Sequence, residues 1–366
     1  MRYISVFFFY VSTVSYFVTF VLYLFHSVFT GTSSERRSSE AVGIVASSIW
    51  GGLSQLAWGI WATRALLVSI AIATLGVIAR VIELGNASQW VKLFLLPLST
   101  TYETLTFFSW LIPLIYFLME RRFQLKQVGV FISGAAFVML SVAASPSFAP
   151  SAPSGVPASL QSYWLTIHVL FMVIGIAFFT SGFGATLVYL WRRYEKKLFV
   201  LSGALLAALA LVLLGVIPLF ATLQPLKMLT AGALLLGSCA GFGWLLFFVH
   251  RGDQALAWER LENIEEMVYR CNALGFPFYV IGGLVFGGIW AEQAWGRYWG
   301  WDPKETAMLV TALVYAIYLH ARLTWGERDP GWRGGLVAWL SVLGYLAVLY
   351  TWIGINYFVA SLHSFV

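Results

Sequence analysis

Apolar residues in this chain come in long unbroken runs, and polar residues come in short clusters between them. An uncharged run of about twenty residues has the length an α-helix needs to cross the hydrocarbon of a bilayer. Ten such spans are predicted, at 3–29, 65–84, 100–119, 128–144, 164–191, 198–220, 228–249, 273–291, 305–321 and 334–358. The fold class that follows is all-α: a polytopic transmembrane helix bundle of about ten spans, with a tryptophan-rich loop outside the bilayer. The first run, Tyr3 to Phe29, is too long for a cleaved signal peptide and lacks an A-x-A site, so it is expected to stay as a helix.

Composition sharpens this picture. A chain that is 60% hydrophobic and 10% charged must be solvated by lipid, and little of it is left for a soluble domain. The formal charge of +6 comes from clusters that separate apolar runs and forms no basic face, which speaks against nucleic acid as a partner. When the connectors alternate between two sides, sixteen of the 22 basic residues fall together, Arg36, Arg121, Arg192, Arg251, Arg270 and Arg322 among them. The other side keeps Arg2, Arg80, Lys92, Lys227, Arg297 and Lys304. The positive-inside rule makes the richer side cytoplasmic and places both termini outside. Cys239 and Cys271 form no C-x-x-C or C-x-x-C-H motif, so a structural disulfide is not expected and the chain is not itself a c-type cytochrome.

The chain divides into five segments. Residues 1–64 hold the first span and an interfacial stretch; 65–162 hold three spans and an external loop that is Pro-rich from Ser145 to Ser162. Residues 163–252 hold a span that starts near His168 and a further helix pair; 253–272 form a cytoplasmic amphipathic helix; 273–366 hold the tryptophan loop and its flanking spans. Ala41 to Trp61 is apolar and nearly long enough to cross. Because only Ala62, Thr63 and Arg64 separate it from the next span, it is expected to lie as a surface helix with Trp50, Trp58 and Trp61 at the interface. In 253–272, the spacing of Leu256, Leu261, Ile264, Val268 and Cys271 makes one apolar face, expected on the bilayer surface or on neighbouring loops.

Chemistry concentrates in W-A-E-Q-A-W-G-R-Y-W-G-W-D-P-K-E, Trp290 to Glu305, with four tryptophans and a tyrosine in sixteen residues. Trp and Tyr favour the membrane interface, and an aromatic belt is the plainest explanation. A belt does not require Gly296, Gly300 and Pro303 between and after the rings, nor Asp302 and Glu305 immediately beyond them. Small residues that let flat rings face one cavity suit a large planar ligand. Gly283 and Gly287 form a G-x-x-x-G pattern just before the loop, read first as close helix packing and second as room for such a ligand.

W-G-R-Y-W-G-W-D-P-K-E followed by A-I-Y-L-H-A-R resembles the tryptophan-rich "WWD" region of cytochrome c assembly proteins of the CcsA/ResC type, a haem-handling family of System II cytochrome c biogenesis. P-L-S-T-T-Y-E-T-L, Y-W-L-T-I-H-V-L-F-M and S-L-H-S-F are similar to further segments of that family, in the same order. Two departures stand out. Leu95 and Leu96 occupy the place where many members carry a histidine, and the helix pair 198–249 is additional to the eight spans of shorter members.

The resemblance implies that haem b is carried to the outer face and presented there for thioether attachment to the C-x-x-C-H motif of apocytochrome c. The chain would then be the haem-lyase (synthase) component of a complex with a CcsB/ResB-type membrane subunit, active in that complex. A haem transporter or chaperone without ligation activity is the alternative. The host would be a bacterial plasma membrane or, alternatively, a thylakoid membrane.

By the resemblance His168 and His363, one near the outer start of a span and one beyond the last span, ligate the haem iron and are the catalytic pair; imidazole is a common axial donor. His320, toward the cytoplasmic side, is similar to an intramembrane haem ligand that pairs with one from the partner subunit, with His26 a lesser candidate at similar depth. Trp290, Trp295, Gly296, Trp299 and Trp301 are the expected macrocycle contacts, with Arg297 and Lys304 facing the propionates. Asp302 and Glu305 are read as loop-fixing groups, orienters of a ligand imidazole, or helix caps.

Overall fold

The computed structural model describes residues 4–39, 45–87, 98, 100–145, 162–193, 258–326 and 332–358, and among them there is no strand. In chain order the helices are α1 (Ile4–Ser39), α2 (Val45–Ala87), α3 (Thr101–Phe123), α4 (Val128–Ala143), α5 (Tyr163–Arg193), α6 (Trp258–Val280), α7 (Gly287–Trp295), α8 (Pro303–Ala321), α9 (Trp332–Leu349) and α10 (Ile355–Phe358). Three π-helical turns, Ile281–Phe286, Arg322–Gly326 and Tyr350–Gly354, join α6 to α7, extend α8 and join α9 to α10. Seven helical stretches are long and apolar enough to cross a membrane, and Val128–Ala143 is a shorter apolar helix. These match eight of the ten expected spans; 198–220 and 228–249 lie outside the described residues. The chain is a multi-pass integral membrane protein.

The helices pack in two groups. In the first, α1 lies along α2 and α4, and α3 along both α2 and α4. In the second, α5 pairs with α6, and α9 touches both α5 and α8; contacts of α5 with α3 and α4 join the groups. The α5–α6 crossing is close enough for backbones to touch. A Cβ on Gly275 would lie 2.9 Å from the Gly175 carbonyl oxygen, and one on Gly175 would lie 2.9 Å from the Tyr279 backbone nitrogen. Small residues are the general means by which membrane helices approach this closely, since no hydrophobic effect drives them together in lipid.

Several polar side chains inside the bundle are bonded across helices. Tyr23 and Thr63 donate their hydroxyls to the buried Glu120 carboxylate, tying α1 and α2 to the inner end of α3. Asn272 Nδ2 donates to Ser341 Oγ at 3.0 Å, and that oxygen is 3.0 Å from Thr186 Oγ1, which links α6, α9 and α5. Unbonded polar groups in a water-free interior carry a large penalty, so these bonds fix how the helices are rotated.

Two sequence expectations are corrected. The segment 41–61 is not a separate surface helix: Val45–Ala87 is one helix of 43 residues, of which Ala57–Gly85 forms the apolar span. Nothing between Ala57 and Arg64 breaks the helix, and about 65 Å of continuous helix exceeds the roughly 30 Å of hydrocarbon, so its first part extends beyond the bilayer. The cytoplasmic amphipathic helix is likewise not separate. Trp258–Val280 runs through the boundary at 272 and into the span, and Ile264, Val268 and Cys271 are buried in the protein core, not on lipid. An apolar face at helical spacing seeks any apolar surface, and the spacing alone cannot say which. Cys271 is a free, buried thiol.

Candidate functional site at the tryptophan loop

The tryptophan loop is held by the helices it joins. α7 ends at Gly296, which takes a left-handed φ of 72° and donates its N–H to the Glu292 carbonyl. α8 begins with a complete capping box: the Asp302 carboxylate accepts from the Lys304 N–H at 3.1 Å, and Glu305 Oε2 accepts from the Asp302 N–H at 3.1 Å. Pro303 follows the cap, where its missing N–H leaves nothing unsatisfied. Asp302 and Glu305 are both buried, so of the roles expected for them, capping and loop fixing are the ones the structure displays.

Against this loop stands His168, on the first turns of α5. Its ring stacks on Trp290, with centroids 6.1 Å apart and planes 12° from parallel, and Trp295 meets Trp290 edge-on at 4.8 Å. His168 Nδ1 is 2.8 Å from the Gly282 carbonyl oxygen. A carbonyl can only accept, so Nδ1 carries the proton; in the neutral ring Nε2 then keeps the lone pair that a metal could use. Gly282 sits in the π-helical turn Ile281–Phe286, and such turns recur at functional sites because they displace the backbone locally.

Gly287 makes the close approach possible: a Cβ there would lie 3.0 Å from His168 Nδ1. Gly283 faces two thioethers, with a Cβ placed 3.2 Å from Met172 Sδ and 3.4 Å from Met308 Sδ. Both readings of the G-x-x-x-G pattern therefore meet here, since the glycines pack against α5 and also line a recess. That small recess is bounded by His168, Trp290, Tyr298, Trp299, Glu305 and Met308 together with the glycines. Trp299 and Trp301 stand perpendicular, at 5.8 Å and 89°.

The remaining expected residues separate. Arg297 is exposed, its guanidinium lying over Gly300. Lys304 Nζ donates to Asn356 Oδ1 at 2.7 Å, a bond that ties α8 to α10. His320 is exposed on α8, on the same face as the exposed Val310, Leu313 and Ile317, and two residues from Arg322, whose Nε lies 3.1 Å from Glu265. His26 packs elsewhere, between α1 and α2; a Cβ on Gly59 would be 3.0 Å from its ring. His363 lies outside the described residues. Sequence reading missed Gly282, Gly288, Met308 and Asn356. The doubled glycines at 282–283 and 287–288 were a usable signal for the first two; nothing local marks the others.

Residues 98–363 match the sequence profile of a family described as "Cytochrome C assembly protein". The chain is 31% identical over 287 residues to the cytochrome c biogenesis protein CcsA of Gloeobacter violaceus, covering 76% of this chain and 80% of that one. It is 31% identical over 317 residues to the CcsA of Pyropia yezoensis, 86% of this chain and 88% of the relative. The match to the CcsA of Chlamydomonas reinhardtii, also 31% identical, covers 76% of this chain but 63% of that longer protein, less than two thirds of its length. With the profile spanning most of the chain and the tryptophan loop built around a histidine, this protein belongs to the cytochrome c assembly protein family, in its CcsA type.

Proposed function

We propose that this chain holds haem b at its outer face and presents it for covalent attachment to apocytochrome c, working with a CcsB/ResB-type membrane subunit. The observation that carries the reading is His168: a half-buried imidazole oriented by a backbone carbonyl, stacked on Trp290, and lining a recess walled by indole and glycine. The donor set fits haem on three counts. One imidazole nitrogen is engaged and the other keeps its lone pair, flat rings wall the recess, and glycines admit a flat ligand. The recess is small, so a macrocycle seated against it would leave an edge outside.

In this reading His168 and His363 would hold the haem iron, while Trp290 fixes the plane of the His168 ring. Trp299 and Tyr298 form a wall against the macrocycle. Exposed Arg297 offers donors to a propionate at the rim; Lys304 is less available, being bonded to Asn356. Bound haem supplies the reactive vinyl groups, across each of which a thiol of a reduced C-x-x-C-H motif adds, forming a C–S bond while its hydrogen goes to the neighbouring carbon. The protein's own part is orientation and exposure of that edge.

Haem would arrive by way of His320. An ionisable side chain exposed on an apolar helix face within a span is expensive in lipid alone, which supports a partner subunit covering it and offering the second ligand. Co-expression with the partner subunit and an apocytochrome tests the proposal: a covalent haem product is expected. Purified complex that holds haem b yet yields no covalent product overturns the synthase reading and leaves a haem transporter or chaperone.

A further inference from the structure

We propose that Glu305 is the positioning residue of the tryptophan loop, its carboxylate binding the backbone on both sides of Trp301 and so holding that indole outward in a left-handed conformation. The proposal rests on the reading of this loop as the haem-holding surface.

Among the described residues only Gln124 and Trp301 combine a side chain with positive φ. Gln124 ends α3 in the ordinary way, its N–H donating to the Glu120 carbonyl. Trp301 ends no helix, and its φ is 55°. L-residues avoid this region because Cβ crowds the following carbonyl, and Trp lacks the short polar side chain that offsets the crowding for Asn or Asp. A bulky residue stays there only when its surroundings over-determine it, and such positions cluster at ligand clamps.

The restraint is visible. Glu305 Oε2 accepts from the Asp302 N–H at 3.1 Å and also from the Gly300 N–H at 2.8 Å. A capping box needs only the first of these. The second reaches past the cap to the residue before Trp301, so one carboxylate oxygen brackets it. Charge-assisted bonds to backbone N–H groups are among the stronger hydrogen bonds, and Glu305 is buried, where water competes least. The outcome is a Trp301 side chain that is 70% exposed and perpendicular to Trp299, so the pair presents one indole in the recess wall and one at its rim.

Two measurements on the full-length chain in detergent test this: hydroxyl-radical labelling of Trp301 read by mass spectrometry, and haem content by pyridine haemochrome. In Glu305→Ala the backbone relaxes to negative φ, the indole leaves its outward position, and labelling of Trp301 falls about tenfold. Glu305→Gln keeps an acceptor oxygen and stays within about twofold of wild type. Haem retention falls in Glu305→Ala but not further when the same change is made in Trp301→Ala, because the clamp then has nothing to hold. Unchanged labelling in Glu305→Ala, or equal haem loss with and without the Trp301 indole, overturns the proposal. Should Glu305→Ala not insert, Glu305→Gln decides, and loss of Trp301 labelling in that variant overturns it. Wild-type protein that holds no haem would defeat the haem reading while leaving the labelling result to stand on its own.

Discussion

Two polar centres sit at the same end of this bundle, and they differ in where their polarity is directed. In the first helix group, Arg80 of α2 lies 3.0 Å from Glu103 of α3, each 2% exposed, with Glu83 at 3.7 Å and the Tyr102 ring under the guanidinium. Ser5 closes the cluster from α1, donating its backbone N–H to Glu83 at 2.9 Å. The Arg80 charge is met there by two carboxylates of the chain, and the cluster locks three helices. In the second group, His168 is bonded through one nitrogen only, beside a recess that opens between indoles. Polarity paired within the chain holds helices together, whereas an imidazole with one nitrogen engaged beside a recess is a candidate for binding a ligand.

Mutations can break this contrast. The largest effect is expected from Arg80→Ala, which strands the Glu103 carboxylate; removing one partner of a buried pair costs about 3–5 kcal/mol. Thermal melts in detergent should show it whether or not haem is bound, and a stability close to wild type would mean the pair is not the lock described. Next comes His168→Ala, expected to weaken haem retention by roughly a hundredfold with little change in protein stability, and to recover partly with added imidazole. Unchanged haemochrome content and spectra would count against ligation.

Gly287→Ala should act in between. Its Cβ would press on Nδ1 of His168, and overpacking of this kind costs about 1–3 kcal/mol, so haem is retained more weakly with a shifted Soret band. An identical spectrum would show that His168 can move without consequence. Asp302→Ala should be mildest, losing one helix cap for about 1 kcal/mol and lowering the melting midpoint slightly. A collapse of haem content with no change in the midpoint would instead give Asp302 a direct role at the ligand.

Much of this was legible in the sequence, for identifiable reasons. Eight of the ten expected spans coincide with described helices because crossing lipid imposes a length and an apolar composition on every helix separately. The tryptophan loop, its capping residues and the glycine pattern before it were local signals of the same kind. Arg80 falls inside the expected span 65–84, but its burial against Glu103 was not legible, because its partner belongs to a different element. The surface helix expected at 253–272 failed for a related reason, since Ile264, Val268 and Cys271 face protein. Apolar periodicity reports that a face will be covered and says nothing about whether lipid or protein covers it.

The sequence by itself therefore determined that this is a membrane helix bundle and where eight of its spans fall, and it singled out Trp290 to Glu305 as the loop to examine for chemistry. Only the tertiary structure decided that His168 meets Trp290, that the Gly282 carbonyl selects its proton-bearing nitrogen, and that Glu305 grips the chain around Trp301. Crossing a bilayer is a constraint each helix satisfies alone, and so it is written locally. A binding site is assembled by the crossing of α5 with the α6–α7 rod, and the distances in that crossing depend on residues more than a hundred positions apart.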